Sequence, residues 1–187
     1  MSDPYRKTSK LMSLLLRHRP ELGGLTLDPE GWIDIGALLA ALAAKGQGVS
    51  REQLDDLVAS NAKQRFAFDG TGTRIRAVQG HSVAVDLGYA ETVPPDQLYH
   101  GTVARFLASI RSQGLRAGAR NHVHLSGDTA TAAIVGGRRG KAVILTIDTA
   151  SMHGDGHRFY LADNGVWLTA AVPVDYIAGW GGEEATR

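Results

Sequence analysis

Residues 98–126 constrain the fold of this chain most, because two glycines punctuate them into strand, helix and strand. Leu98, Tyr99 and His100 read as a short strand, which Gly101 is expected to end by letting the backbone turn without a Cβ. Thr102 can cap the next segment, residues 103–112, whose Val103, Phe106, Leu107 and Ile110 share one helical face. Gly114 stands where a helix-ending glycine belongs. A loop carrying Arg120 then leads to a second strand over residues 123–126. Two histidine-bearing strands and an arginine therefore surround one strand–helix unit, an arrangement suited to a cleft for a polar, phosphorylated ligand. Taken alone, His100-Gly101-Thr102 fits a hydrogen-bonded structural histidine more readily than a functional one. His122 and His124 point to the same face if both lie in the strand. Such a pair could suggest zinc, but there is no cysteine and no His-Glu-x-x-His spacing, so a metal site is not favoured.

The chain has 187 residues, 43% of them hydrophobic, enough for one ordinary domain or two small lobes. The absence of cysteine excludes a disulfide framework, a cysteine-held zinc and a cysteine nucleophile, and fits a reducing compartment. No apolar run is long enough to span a bilayer, and the N-terminus lacks a secretory apolar segment, so a cytoplasmic protein is expected. Net charge is +1, and division at Gly80 leaves +2 before it and −1 after it. That balance is too even to announce a nucleic-acid binder by bulk charge, so any phosphate recognition must be local. Arginine outnumbers lysine, and arginine forms bidentate pairs with phosphate oxygens.

Residues 5–18 read as a helix with Leu11, Leu14 and Leu15 as its apolar stripe, stopped by Pro20. Arg17, His18 and Arg19 crowd its last turn, where cations complement the helix dipole; they would also make an anion site. Residues 25–28 and 31–34 are short extended pieces around a Pro29-Glu30-Gly31 turn. Asp34 caps a helix that ends at Gly46, and Ser50 and Gln53 form a capping box for the next. Residues 65–68 and 74–78 alternate as strands around a hairpin at residues 69–72. This is the element order of a winged-helix module. Arg65, at the entry of the first wing strand, would ordinarily be a solvated edge charge.

Residues 80–95 look like the crossing between two lobes, with one strand over 83–87. Further on, Asp128 can cap a helix over 129–135, and Arg138 and Arg139 form a basic turn that is either solvated or in contact with phosphates. Residues 142–147 are a nearly continuous apolar strand, which suggests burial on both faces. Residues 158–161 and 166–169 flank the strong hairpin signal Asp163-Asn164-Gly165, and residues 172–177 add a last short strand or turn. The expected architecture is α+β, with an N-terminal lobe at 1–80 and a mainly antiparallel lobe at 81–187 holding one or two helices.

Together these pieces resemble the NAD-dependent RNA 2′-phosphotransferases, the KptA family. The resemblance is carried by Leu14-Leu15-Leu16-Arg17-His18, Arg65-Phe66, Tyr99-His100-Gly101-Thr102, Arg120-Asn121-His122-Val123-His124-Leu125-Ser126 and Asn164-Gly165-Val166-Trp167-Leu168-Thr169. It implies a winged-helix RNA lobe at 1–80 and an ADP-ribosyltransferase-like NAD lobe at 81–187. It also implies an activity: an internal RNA 2′-phosphate attacks the nicotinamide ribose C1″ of NAD, and the ribose O2″ then attacks that phosphorus. The products would be 2′-OH RNA, ADP-ribose 1″,2″-cyclic phosphate and nicotinamide. By the same resemblance Arg17, His18, Arg65 and Arg120 handle the phosphate, and His18 assists proton transfer in the second step. His100, Gly101 and Thr102 would line the nicotinamide and ribose pocket, with His124 and Ser126 as further NAD contacts and His122 facing either NAD or the RNA phosphate. The motifs lack the glutamate of many ADP-ribosyl transferases, with Val166 at the corresponding place. No metal is implied, NAD is consumed, and a monomer is expected.

Two other functions fit parts of the pattern. An ADP-ribosyltransferase could stop after the first step and leave its mark on terminal phosphates of RNA or DNA. A winged-helix regulator would bind duplex DNA with a steep salt dependence and release no nicotinamide. The nearly neutral first lobe argues against the regulator.

Overall fold

The computed structural model describes residues 4–181. The chain forms two compact units, Met1–Gly88 and Tyr89–Arg187.

The first unit opens with α1 (Arg6–Arg17), whose buried face is Thr8, Ser9, Met12, Leu15 and Leu16. These positions recur every three or four residues and so lie on one side of the helix. The expected stripe was rotated from this one: Leu14 is 37% exposed while Met12 and Leu16 are fully buried. Three consecutive leucines cannot by themselves say which two face inward. Residues 25–28 form no strand; β1 is Ile33–Asp34. Asp34 also caps α2 (Ile35–Ala44) by accepting from the Ala37 amide at 3.0 Å. Ser50 and Gln53 close the expected capping box on α3 (Arg51–Ala59). Then β2 (Phe66–Phe68) and β3 (Arg74–Ala77) pair antiparallel, and β1 joins them in the order β1-β3-β2. Asp69 fixes the hairpin by accepting from the Thr73 and Arg74 amides. The core gathers Met12, Leu15, Leu16, Leu38, Leu42, Leu54, Leu57 and Ile75. Truncating one such leucine to alanine costs about 2–5 kcal/mol.

Residues 83–87 make no strand. Instead the Ser82 amide donates to the Arg17 carbonyl and the Asp86 amide to the Pro29 carbonyl, which ties residues 81–88 to the first unit. The division therefore falls after Gly88 rather than Gly80.

In the second unit β4 is Gln97–Val103 and runs through Gly101 without ending there. All seven of its residues pair antiparallel with β7 (Ala142–Asp148). Thr102 is consequently a buried strand residue and not a cap; Val103 occupies the N-cap of α4 (Ala104–Gln113) without a side-chain hydrogen bond. Gly114 ends that helix at φ 70°, as its position suggested. Next come β5 (Leu115–Arg116), β6 (Val123–Leu125) and α5 (Thr129–Gly136), the last capped by Asp128. A helix not read from the sequence, α6 (Thr149–Gly154), follows β7 and is capped by Asp148 through the Ser151 amide. Among the described residues this unit thus holds three α-helices, not one or two. The hairpin strands are β8 (Tyr160–Leu161) and β9 (Trp167–Thr169), followed by β10 (Ala171–Val172). The last strand, β11 (Ile177–Trp180), lies beyond the expected 172–177 because a short helical turn, Val174–Tyr176, intervenes. The sheets are β11-β7-β4, β6-β9-β8 and β10-β5, every pair antiparallel. The fold is α+β. Leu145 and Ile147 of β7 are fully buried, while their neighbours Ile144 and Thr146 are only half-buried. One face of that strand therefore makes the core, where burial on both was expected.

Candidate active-site residues in the two units

In the first unit three separate stretches meet at the end of α1. Arg17 donates from Nη2 to the Arg65 carbonyl at 3.3 Å, and its guanidinium lies 6.0 Å from the Phe66 ring centre. Gly80, at φ 87°, passes close beside it: a Cβ there would stand 3.5 Å from Arg17 Nη1. The Arg17 carbonyl in turn accepts from the Ser82 amide at 2.8 Å. Ser82 Oγ lies 2.9 Å from His18 Nδ1. A histidine with one ring nitrogen held this way presents the other for chemistry. Arg65 itself donates from Nη1 to Asn61 Oδ1 at 3.4 Å. Just before it stands Gln64 at φ 40°, the one non-glycine with positive φ among the described residues.

Beneath this group His81 is 2% exposed, and neither of its ring nitrogens has a hydrogen-bond partner. Burial, with the charges of Arg17, His18 and Arg76, pushes its pKa down to about 4, so it is neutral near pH 7. Arg17, His18 and Arg65, expected to act together, are thus gathered with Asn61, His81 and Ser82, which the sequence reading missed. Their signal was a serine and a histidine placed directly after a glycine, read only as a crossing between lobes.

In the second unit the Tyr99 and Ser126 amides each donate to the other's carbonyl, at 2.9 and 2.8 Å, so that the end of β6 touches β4. His100 is the next residue along β4, where the two strands part. Its Nδ1 lies 3.0 Å from the His124 carbonyl. A carbonyl can only accept, so Nδ1 carries the proton and Nε2 of the neutral ring is an acceptor. Burial lowers the His100 pKa; the bond to His124 opposes this and the charge of Arg120 adds to it. Gly101 serves packing: a Cβ on it would lie 1.8 Å from the Ala132 carbonyl oxygen, and one on Gly136 would lie 2.8 Å from the Gly101 carbonyl carbon. Helix α5 therefore rests directly on the backbone of β4.

His122 and His124 are both half-buried, His124 between the buried Val123 and Leu125, and the His122 ring meets Tyr160 edge-on at 5.9 Å. His122 precedes β6 rather than lying in it. Arg120 is solvent-accessible; partial desolvation and then the charges of Arg139 and Arg138 lower its pKa. Among the described residues no three histidine, aspartate or glutamate side chains converge as metal ligands.

The family model for the RNA 2′-phosphotransferase, Tpt1 / KptA family, matches residues 3–171. The chain belongs to that family. It is 56% identical over 171 residues to a Streptomyces coelicolor protein named "Probable RNA 2′-phosphotransferase", covering 91% of this chain and 93% of that one. A Pseudomonas aeruginosa protein of the same name is 56% identical over 91% of this chain and 94% of its own. One from Hahella chejuensis, also so named, is 50% identical over 95% and 96%.

Proposed function

We propose that this protein removes an internal 2′-phosphate from RNA and transfers it to NAD. The observation that carries this reading is the gathering of Arg17 and His18 with Arg65, from two distant stretches of the first unit, with Ser82 of a third holding His18. A phosphate monoester is already an anion and a nucleophile, so its handling calls for oriented cations and one proton-transfer group rather than a strong base. That is the chemistry of this set. Arg120, in the second unit, is a further phosphate-handling residue of this reading. In the first step a 2′-phosphate oxygen bonds to C1″ of the nicotinamide ribose and the bond to nicotinamide breaks. In the second, O2″ bonds to phosphorus and the P–O2′ bond breaks, the RNA oxygen leaving as a hydroxyl. His18 exchanges the proton that this second step requires.

On the NAD side, a neutral His100 with Nε2 as acceptor suits a ribose hydroxyl, which is a donor. Thr102, His124 and Ser126 are the remaining contacts of this reading. Gly101 contributes by letting α5 press on β4, which holds His100 in place. The first unit, with its α–β–α–α–β–β order, serves as a winged-helix RNA lobe, and the second as an ADP-ribosyltransferase-like NAD lobe. The protein acts as a cytoplasmic monomer.

The test is a product assay on a short RNA with one internal 2′-phosphate, with and without NAD. The expected result is NAD-dependent 2′-OH RNA, nicotinamide and ADP-ribose cyclic phosphate. An ADP-ribosylated RNA that persists would mean the reaction stops at the first step. Unchanged RNA and NAD would refute the reading.

A further inference from the structure

The second unit's balance of nine basic and nine acidic residues conceals a strong segregation. Between Gln97 and Ile147 the sequence places seven basic residues against one acid, Asp128. That carboxylate is committed to the start of α5, where it accepts from the Thr131 amide at 2.7 Å and from Thr131 Oγ1 at 2.8 Å. Neither α4 nor the Gly137–Arg139 turn carries a carboxylate. These two elements lie together: a Cβ on Gly140 would be 3.7 Å from Val103 Cγ1, at the start of α4, and Gly136 abuts Thr102.

At their meeting point stands Phe106, in the first turn of α4 and 37% exposed. The Arg105 guanidinium lies 5.0 Å from its ring centre and that of Arg139 lies 5.9 Å away. The cations of Arg138 and Arg139 are near enough to Arg120 to act on its guanidinium. An aromatic ring bracketed by arginines offers stacking to unpaired bases, through the ring and through the guanidinium planes, while the cations meet backbone phosphates. A protein or membrane partner would call for a more apolar face.

We propose that Phe106, Arg105, Arg138 and Arg139 dock the single-stranded RNA that flanks the 2′-phosphate. The inference rests on the reading of this protein as an RNA-processing enzyme. It assigns the bases beside the modified nucleotide to a surface of the second unit, next to Arg120.

The test uses the full chain and two measurements: anisotropy of a labelled unmodified single-stranded RNA across a range of salt, and steady-state kinetics with 2′-phosphorylated RNA and NAD. In the Arg138→Ala/Arg139→Ala double variant the slope of log affinity against log salt should fall by about one to two. Phe106→Ala should weaken RNA binding about tenfold with the salt slope retained. Phe106→Leu keeps apolar bulk without an aromatic face and should behave like the alanine variant. The KM for NAD should be unchanged in all three. Wild-type RNA affinity and slope in these variants would overturn the proposal, as would a raised KM for NAD with RNA binding intact, which would assign the cations to the dinucleotide. If wild-type protein binds RNA but never consumes NAD, the reaction falls while this docking surface stands.

Discussion

His18 owes its orientation to a residue 64 positions away, because Ser82 Oγ holds its Nδ1 while the Ser82 amide anchors the Arg17 carbonyl. Ser82→Ala should therefore lower the single-turnover rate about three- to tenfold, the value of one net hydrogen bond, and leave RNA affinity nearly unchanged. Ser82→Thr, which keeps the hydroxyl, should recover most of the rate. An equal loss in both variants would assign Ser82 to packing instead. At this scale the sequence was informative about residues that stand in motifs: Arg17, His18, Arg65, His100 and Arg120 are recognisable from their neighbours in the chain. Ser82 and His81 were not, because their importance arises only from contacts across 64 and 65 residues or from burial; Asn61, which holds the Arg65 guanidinium four residues on, stands in no motif. A linear pattern carries no record of either.

Gly101 was expected to end a strand and instead lies inside one, and the reason is a contact between elements. Helix α5 approaches β4 until the Ala132 carbonyl, Gly136 and Gly101 leave no room for a methyl group. Because the obstacle is backbone on both sides, no side chain can swing aside. Gly101→Ala should cost more than about 3 kcal/mol, and Gly136→Ala a comparable amount, beyond ordinary overpacking of a core. Thermal melts by circular dichroism would check this; a melting temperature near wild type for Gly101→Ala would show that α5 can retreat. The same contact explains what could be read at this scale. Caps such as Asp34, Ser50 and Asp128 were legible because a cap is a local event within four residues. The continuation of β4 to Val103 was not, since a seven-residue register with β7 is decided by its partner. For the same reason β11 and the inward face of α1 escaped a reading based on spacing.

Each unit of the molecule has its own core, and only the first contains His81. In the unfolded chain that histidine binds a proton below its ordinary pKa of 6.5; in the folded unit it stays neutral until about pH 4. Arg17, His18 and Arg76 are the charges acting on it. The unfolded state thus gains protons first, and the stability of the first unit should fall by about 2–4 kcal/mol as pH drops from 6.5 to 4, with no such change above 6.5. Trp32 lies in the first unit and Trp167 and Trp180 in the second, so urea unfolding followed by fluorescence in a Trp167→Phe/Trp180→Phe background isolates it. His81→Leu should flatten the slope; an unaltered slope in that variant would place the titration elsewhere. Composition left one domain or two lobes open, and residues 81–88, read as part of a crossing between lobes, are held by hydrogen bonds to α1 and to Pro29 that no local pattern announces. One further feature bears on how such a molecule can change. Gln64, wound against its natural handedness immediately before Arg65, stores about 1–2 kcal/mol that a glycine in its place would release. A glycine there would stabilise the chain only by the amount by which that relief exceeds the backbone entropy it adds to the unfolded state, and it would loosen the aim of the arginine that follows, so durability and turnover are set against each other at a single residue.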